Sequence, residues 1–250
     1  YNRTMKKRKI RSLSVSEIGM GCMGFSHGYG QIPAAGYAEE AIREAFDYGC
    51  NFFDTAEVYG RELYYPGHNE EIVGRAVKGF RNEVVIATKL FVTPEMVEDC
   101  GSVNAVVRKH LEHSLKNLQT SYVDLYYLHR INIAVDYLEV AHAMGRLIHE
   151  GLIREWGISA VDKVQLEMVN AITPVGAVQN IYSMVERTSE KEVIPFCVEN
   201  GIAFVPFSPV ASGLLSGKIT PTTEFGRVDD VRVWVPQLKQ ENIIGNMPIV

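Results

Sequence analysis

The sequence lacks several features that would assign it to common protein classes. No stretch approaches the roughly 18 consecutive apolar residues that a membrane-spanning helix requires, and no apolar segment follows the basic start as in a signal peptide. The four cysteines include no CxxC pair, which argues against a zinc or redox motif and favours a reducing compartment. We therefore expect a cytoplasmic protein that does not associate with membranes.

A strong charge of either sign is also missing. The 250 residues carry 25 Lys and Arg against 30 Asp and Glu, a net charge of −5, so nothing in the composition favours nucleic acid as a partner. The seven histidines form no HExxH or HxH motif. His110 and His113 share one face of a predicted helix, and we interpret them as a solvated surface pair in a protein without a bound metal.

What the sequence does contain is a regular alternation of short apolar runs and amphipathic segments. A helix is predicted from Tyr37 to a stop at Gly49, Ser102 is a predicted N-cap, and further helices are predicted at Asp162–Ile172 and Ser189–Asn200. Residues 4–15 are predicted to form a hairpin. The seven predicted strands are Glu17–Cys22, Asn51–Asp54, Val84–Thr88, Tyr122–Leu128, Ile153–Ser159, Gly176–Asn180 and Ile202–Phe207.

This alternation requires parallel strands joined by right-handed crossovers, in a barrel or in an open sheet. Two features favour the barrel. No GxGxxG motif follows the first strand, and polar residues stand at the strand ends, where a barrel places its active site. We predict an α/β fold, a (β/α)8 barrel of the TIM type with an N-terminal hairpin closing its bottom. Residues 1–250 are expected to form one such domain, without the C-terminal eighth strand and helix.

Four residues are candidates for catalysis. Asp54, Lys89 and His129 close the second, third and fourth predicted strands, each after an apolar run, and Tyr59 lies in the loop after Asp54. An unperturbed tyrosine has a pKa near 10, which a neighbouring ammonium lowers, and a carboxylate can hold that ammonium in place. A histidine can orient a substrate oxygen. This set suits delivery of a proton to a carbonyl oxygen, while the hydride must come from a cofactor.

The segments around these residues resemble the signatures of the aldo-keto reductase family. NFFDTAEVYG contains Asp54 and Tyr59, ATKL contains Lys89, and YVDLYYLHR contains His129; REWGISA, VQNIYSMVER and VPFSPVASGLLSGK follow in the family's order. The resemblance implies a (β/α)8 barrel that uses NADPH, without a Rossmann domain, to reduce aldehydes and ketones to alcohols. It implies that Tyr59 is the general acid, that Lys89 lowers its pKa, that Asp54 supports the lysine and that His129 orients the carbonyl.

The resemblance also implies where the cofactor lies. Ser159 and Gln179 would hydrogen-bond the nicotinamide carboxamide, and Phe207 would stack on its ring. Ala160 departs from the family, which often has a polar residue such as asparagine there. The choice of NADPH over NADH is implied by the family alone. The remaining implied cofactor contacts are Gly21, Cys22, Met23 and Asp54 near the nicotinamide half, and Ser208, Pro209, Gly213, Leu214 and Lys218 around the pyrophosphate.

Two alternative functions stay open at this point. A slow cofactor-binding or regulatory subunit could use the same barrel, because fold alone does not fix function; it would bind cofactor without oxidising it when an aldehyde is added. A metal-dependent hydrolase could use Asp54 and His129, but it would need further ligands at strand ends, which the sequence lacks. The sequence indicates a small carbonyl compound as substrate without identifying it, and it leaves the oligomeric state open.

Overall fold

The computed structural model describes residues 5–226 and 229–250, which form an α/β fold with two sheets. Strands β1 (Lys7–Ile10) and β2 (Leu13–Ser16) form an antiparallel hairpin. Seven parallel strands pair in chain order, and among the described residues no strand pairs with the outer edges of the first and the last. These strands are β3 (Met20–Gly21), β4 (Phe52–Asp54), β5 (Val85–Leu90), β6 (Val123–Leu128), β7 (Ile153–Ser159), β8 (Ala177–Ile181) and β9 (Ala203–Phe207).

Helices connect the consecutive parallel strands, so the sheet curls into most of a barrel and the predicted fold class is confirmed. A membrane span is not found: each helix that the structure describes is too short or too polar to cross a bilayer. The helices are α1 (Tyr37–Asp47), α2 (His68–Val77), α3 (Pro94–Cys100), α4 (Val103–Asn117), α5 (Tyr137–His149), α6 (Lys163–Ile172), α7 (Val193–Glu199) and α8 (Gln240–Asn246).

Local signals in the sequence explain where several helices begin and end. The Ser102 side chain accepts a hydrogen bond from the Ala105 amide at 3.1 Å, which confirms it as the N-cap of α4. Asp162 and Gln165 form a reciprocal capping box at the start of α6. Gly49 follows the end of α1 with a φ of 93°, a left-handed conformation that glycine adopts without strain.

Alternate residues of the strands divide the apolar core into two layers. Those facing the barrel interior, including Phe52, Ala87 and Tyr127, pack against Ile10 and Leu13 of the hairpin. Their neighbours in sequence, such as Ile86 and Tyr126, belong to a second layer with the helices. The hairpin therefore packs into one end of the barrel, as predicted, and leaves the opposite end for the residues that follow the strands.

Two predicted boundaries are wrong. Only Met20–Gly21 of the predicted strand Glu17–Cys22 pairs with β4, because residues 17–19 bend from the hairpin to the barrel. The helix predicted over Ser189–Asn200 begins at Val193, since residues 188–190 form a separate 3-10 turn. Helices α3 and α8 were not predicted.

Candidate functional site

The period of two in the strands gathers the predicted catalytic residues at one end of the barrel. Lys89 lies two residues after the inward-facing Ala87, and His129 lies two residues after the inward-facing Tyr127. Asp54, two residues after Phe52, ends β4. Because the carboxyl ends of parallel strands meet at one edge, these three side chains and Tyr59 from the loop after β4 come together.

Lys89 is the centre of this group and is fully buried. Its ammonium contacts Asp54 Oδ1, donates to the Thr55 carbonyl at 2.8 Å and lies 3.5 Å from the Tyr59 hydroxyl. Burial acts to lower the pKa of Lys89, but Asp54 and Tyr59 outweigh it, so that the pKa lies above its usual value. The lysine is therefore an ammonium held between a carboxylate and a phenol.

Tyr59 is 9% exposed, and its ring lies edge-on to the His129 ring with centroids 5.8 Å apart. Burial raises the pKa of Tyr59, and the charge of Lys89 offsets only part of this rise. Lys89 acts to lower the pKa of Tyr59, in the direction that the resemblance implies, but burial outweighs it and the net pKa is raised. The desolvation of the phenolate outweighs its attraction to the ammonium. The phenol is therefore fully protonated at neutral pH.

His129 follows β6 and is also buried, with its Nδ1 atom lacking a hydrogen-bond partner among the described residues. Burial, together with the positive charges of Lys89 and Arg130, lowers the pKa of His129 to about 2. The imidazole is therefore neutral throughout the physiological range. A neutral imidazole still carries one N–H group, which can donate a hydrogen bond to an oxygen beside Tyr59.

Asp54 links the catalytic candidates to one of the predicted cofactor residues. Its second oxygen, Oδ2, accepts a hydrogen bond from Gln179 Nε2 at 2.8 Å. The carboxylate thus bridges an ammonium and an amide, with 18% of its side chain exposed to the cavity above.

A cavity of about 1250 Å³ opens at this end of the barrel and continues along the gap between β3 and β9 to hairpin residues such as Ile10 and Val15. Tyr59 and His129 line it, whereas Lys89 lies beneath them. Eight of the predicted cofactor contacts line this cavity: Gly21, Met23, Asp54, Gln179, Phe207, Ser208, Pro209 and Gly213.

Four predicted cofactor contacts do not line the cavity. Cys22 packs in the outer core, where burial raises the pKa of its thiol, and Leu214 packs in a separate apolar cluster. Lys218 is exposed to solvent. Ser159 lies fully buried below the surface of the cavity, and its hydroxyl accepts a hydrogen bond from Arg130 at 2.8 Å.

The loop after β9 has an unusual backbone. Ser208, Ala211 and Ser212 have φ values of 54°, 50° and 54°, and Gly213 has a φ of 100°. A left-handed conformation costs a residue with a side chain roughly 1–2 kcal/mol, and such strain collects at ligand sites. Turns of this kind point successive N–H groups into a concave surface that suits an anion.

Sequence reasoning missed Arg130, which lies at a bend directly after His129 and lines the cavity. Its guanidinium lies 5.5 Å from the centre of the Phe207 ring. The signal that could have found it is a charged residue immediately following an apolar strand. Consecutive strand residues point to opposite faces, so a residue directly after His129 is expected to face away from the cavity. Arg130 lines it because β6 ends at Leu128 and the chain bends at Arg130.

Sequence reasoning also missed a cluster that closes over Tyr59. The ring of His27 stacks on the Tyr59 ring at 6.1 Å, and its Nδ1 atom lies 2.7 Å from Asp229 Oδ1 and 3.6 Å from Glu62 Oε2. These three groups come from distant parts of the chain, so no spacing in the sequence reveals them. They could also hold a cation, and the absence of a metal remains a prediction.

His110 is not the solvated surface residue that we predicted. Its Nδ1 atom lies 2.7 Å from Glu57 Oε2, and both side chains are largely buried. The helical face that carries His110 turns toward the loop after β4 rather than to water. Only the packing of α4 against that loop creates this pair, and the helical pattern alone could not show it.

Comparison with known proteins places this strand-end site in a family. Residues 17–243 match the model of the Aldo/keto reductase family. The chain is 36% identical over 216 residues to a probable aldo-keto reductase 1 of Glycine max, covering 85% of this chain and 61% of that protein. It is 33% identical over 252 residues to the NADP(+) aldo-keto reductase yakc of Schizosaccharomyces pombe, covering 97% of this chain and 72% of that protein.

This chain is also similar to a solved structure. The glycerol dehydrogenase of Gluconobacter oxydans superimposes with a TM-score of 0.79 at 28% identity, covering 97% of this chain and 74% of that one. The parallel barrel described above thus has the fold of that glycerol dehydrogenase. The chain belongs to the aldo/keto reductase family. It spans about three fifths of the length of the Glycine max relative.

Proposed function

We propose that this protein reduces aldehydes and ketones to alcohols with NADPH. The reverse reaction would oxidise the CH–OH group of the alcohol. The observation that carries the proposal is the buried Lys89 ammonium, which contacts Asp54 and the Tyr59 hydroxyl beneath one cavity. The relatives named above are reductases and a dehydrogenase, which supports an enzyme over a regulatory subunit.

Tyr59 is proposed as the proton donor. Its raised pKa keeps the proton on the phenol until a substrate oxygen gains negative charge. The Lys89 ammonium at 3.5 Å then stabilises the phenolate that remains. Asp54 keeps the lysine in place and limits the desolvation cost of burying a lone cation.

His129 is proposed to orient the carbonyl. Its neutral ring faces the edge of Tyr59 across the same cavity, so the imidazole N–H and the phenol O–H can converge on one carbonyl oxygen. Hydrogen bonds from two directions fix that oxygen and leave the carbonyl carbon open to attack. The buried Nδ1 atom, without a partner among the described residues, agrees with a ring that has a ligand to bind.

The residues around the cavity fit a nicotinamide cofactor. When bound, NADPH supplies the hydride, which no side chain can provide. Phe207 offers a ring face, and the left-handed turns at residues 208–213 form a loop at the cavity that suits an anion. The N–H groups of Ala211 and Gly213 already donate to the Ser208 and Val210 carbonyls, so the other N–H groups of the loop would bind the anion. Ser159 and Gln179 now bond to Arg130 and Asp54, so binding of a carboxamide there would replace these contacts. The name of the Schizosaccharomyces pombe relative supports NADP as the cofactor.

The setting of the enzyme is part of the proposal. We propose that residues 1–250 belong to one aldo-keto reductase barrel domain. The four free cysteines support a reducing compartment such as the cytoplasm. The expected partner is a small carbonyl compound.

The experiment is the loss of NADPH absorbance in the near ultraviolet when the purified protein meets 4-nitrobenzaldehyde. Tyr59→Phe should lower the turnover number by at least roughly 10²-fold, because it removes the proton donor. NADPH should still quench its intrinsic fluorescence, since the ring remains. Tyr48→Phe, an exposed tyrosine after α1, is the matched control and should retain wild-type turnover.

Each outcome separates the candidate functions. A Tyr59→Phe variant with near wild-type turnover would remove Tyr59 from the mechanism. Fluorescence quenching without NADPH oxidation would favour the cofactor-binding subunit instead. Loss of activity upon addition of a chelator would point to the cation that His27, Glu62 and Asp229 could hold.

A further inference from the structure

Arg130 is a cation in the cavity that forms no ion pair with any of the described residues. Its Nη1 atom donates to the His129 carbonyl and to Ser159 Oγ, and its guanidinium lies against the Phe207 ring. In residues 5–226 and 229–250, no carboxylate lies within 4.0 Å of it, and its Nε and Nη2 atoms have no hydrogen-bond acceptor. One edge of its planar donor group is therefore unused.

The surroundings of Arg130 make its unused hydrogen-bond donors energetically unfavourable. Arg130 is only partly exposed, and its positively charged neighbour Lys89 lies at the same end of the barrel. Asp54, an acidic group that lines the cavity, is already bound to Lys89 and to Gln179. A desolvated cation with unused donors is stabilised by an anion, and a guanidinium edge matches a carboxylate with two parallel hydrogen bonds.

We propose that Arg130 selects carbonyl substrates that carry a carboxylate group. This inference rests on the proposed reductase function. Arg130 follows His129 directly in the chain, and the His129 ring faces Tyr59. A nicotinamide bound at Phe207 and Ser159 would replace the present contacts of Arg130. The freed guanidinium then lies next to a substrate carbonyl held by Tyr59 and His129, and it can bind the acidic end of that substrate. The carbonyl is reduced and NADPH is oxidised as before, so Arg130 adds selectivity and takes no part in the bond changes.

A different role would also use these contacts. Ser159 and Phe207 were both predicted to contact the nicotinamide, so Arg130 could serve the cofactor instead of the substrate. That role would make the effect of a substitution independent of the charge on the aldehyde. Affinity for NADPH would then fall together with turnover of every aldehyde.

The experiment compares 4-formylbenzoate with its methyl ester as substrates, each with saturating NADPH. The two differ by one negative charge, and the ester is the more electrophilic aldehyde, so a preference for the acid reports binding. We expect kcat/KM to be about tenfold to a hundredfold higher for the acid, the range of a hydrogen bond to a charged group. Arg130→Gln should abolish this preference through KM, and Arg130→Lys should retain part of it.

Arg61 provides the matched control. It also lines the cavity, but it forms an ion pair with Glu62 at 2.7 Å and is 56% exposed. Arg61→Gln should therefore keep the preference for the acid. Equal kcat/KM for acid and ester in the wild-type protein would overturn the proposal. The proposal would also be overturned if Arg130→Gln lowered kcat/KM equally for both substrates, or if it raised only the Kd for NADPH.

A binding measurement keeps the inference testable if neither aldehyde is reduced. Isothermal titration calorimetry then measures the affinity of the protein for benzoate and for benzamide, without any turnover. Tighter binding of benzoate that disappears in Arg130→Gln would support the site while the reductase function fails. Equal binding of benzoate and benzamide would overturn the site as well.

Discussion

Two buried polar clusters lie on opposite faces of strand β5. On the inner face, Lys89 contacts Asp54 and the Tyr59 hydroxyl beneath the cavity. On the outer face, the preceding residue Thr88 donates a hydrogen bond to Glu70 at 2.6 Å. The outer cluster also contains Asn117 and the Glu57–His110 pair, and it is enclosed between the sheet, α2 and α4.

The two clusters have opposite effects on the ionisation of a buried group. In the inner cluster an ammonium faces a carboxylate, and the pKa of Lys89 is raised despite complete burial. In the outer cluster no cation among the described residues shifts the pKa of Glu70. Burial raises the pKa of Glu70 to about 7, the neighbouring Glu57 acts in the same direction, and hydrogen bonds from Asn117 and Thr88 offset part of the rise. Burial without a cation thus favours the neutral form of Glu70, whereas a partner of opposite charge keeps Lys89 ionised beneath the cavity.

The largest expected effect is that of Lys89→Met. The change leaves Asp54 without its cation and removes the charge that stabilises the Tyr59 phenolate. We expect the free energy of unfolding to fall by roughly 3–5 kcal/mol and the turnover number to fall by at least about 10²-fold. Urea unfolding and NADPH oxidation measure the two effects.

The control for this variant is Lys218→Met. Lys218 is exposed and lies outside the cavity lining, so its replacement should change the free energy of unfolding by no more than about 0.5 kcal/mol. If Lys89→Met were as stable as the Lys218 variant, the inner pair would not be the stabilising contact that its burial indicates.

The outer cluster predicts a pH dependence of stability without one of activity. A folded-state pKa of about 7 exceeds the ordinary value of 4.5, so the folded protein binds the additional proton between these values. Stability therefore decreases as pH rises through this window, by about 3 kcal/mol in total for this group. Glu70→Gln should remove this part of the decrease and be the more stable protein at pH 8.

Urea unfolding of wild type and Glu70→Gln at several pH values from 4.5 to 8 measures the difference. Other groups also titrate in this range, so the difference between the two curves is the relevant quantity. Parallel curves would mean that Glu70 is not held protonated. A loss of NADPH oxidation in Glu70→Gln would show that the outer cluster serves the site and would end the distinction between the two faces.

The inner cluster was predictable from the sequence, and the outer one was not. Asp54, Lys89 and His129 each stand at the end of an apolar run, and the period of two in a parallel strand brings such positions to one edge. The Glu57–His110 pair depends instead on the angle at which α4 packs against a loop. A helical pattern shows which face is polar, but it does not show what covers that face.

The loop after β9 shows the same limit for the cofactor contacts. Leu214 and Lys218 lie in a segment without strand or helix periodicity, and only the left-handed turns at residues 208–213 decide which side chains reach the cavity. Ser159 was predicted correctly as the last residue of its strand, and it ends β7. Its hydroxyl accepts a hydrogen bond from Arg130, which the sequence did not indicate. The strands were thus predicted from their pattern, whereas the loops depend on tertiary contacts.

The smallest expected effect tests whether the backbone is strained at the carboxyl end of a barrel strand. Ala160 follows Ser159, is exposed and has a φ of 57°, a conformation unfavourable for alanine. Ala160→Gly should therefore raise the free energy of unfolding by about 0.5–1 kcal/mol. The control is Ala171→Gly on the exposed face of α6, where glycine should instead lower it by about 1 kcal/mol. Thermal unfolding measures both changes, and a decrease in both variants would mean that the strand end stores no strain at Ala160.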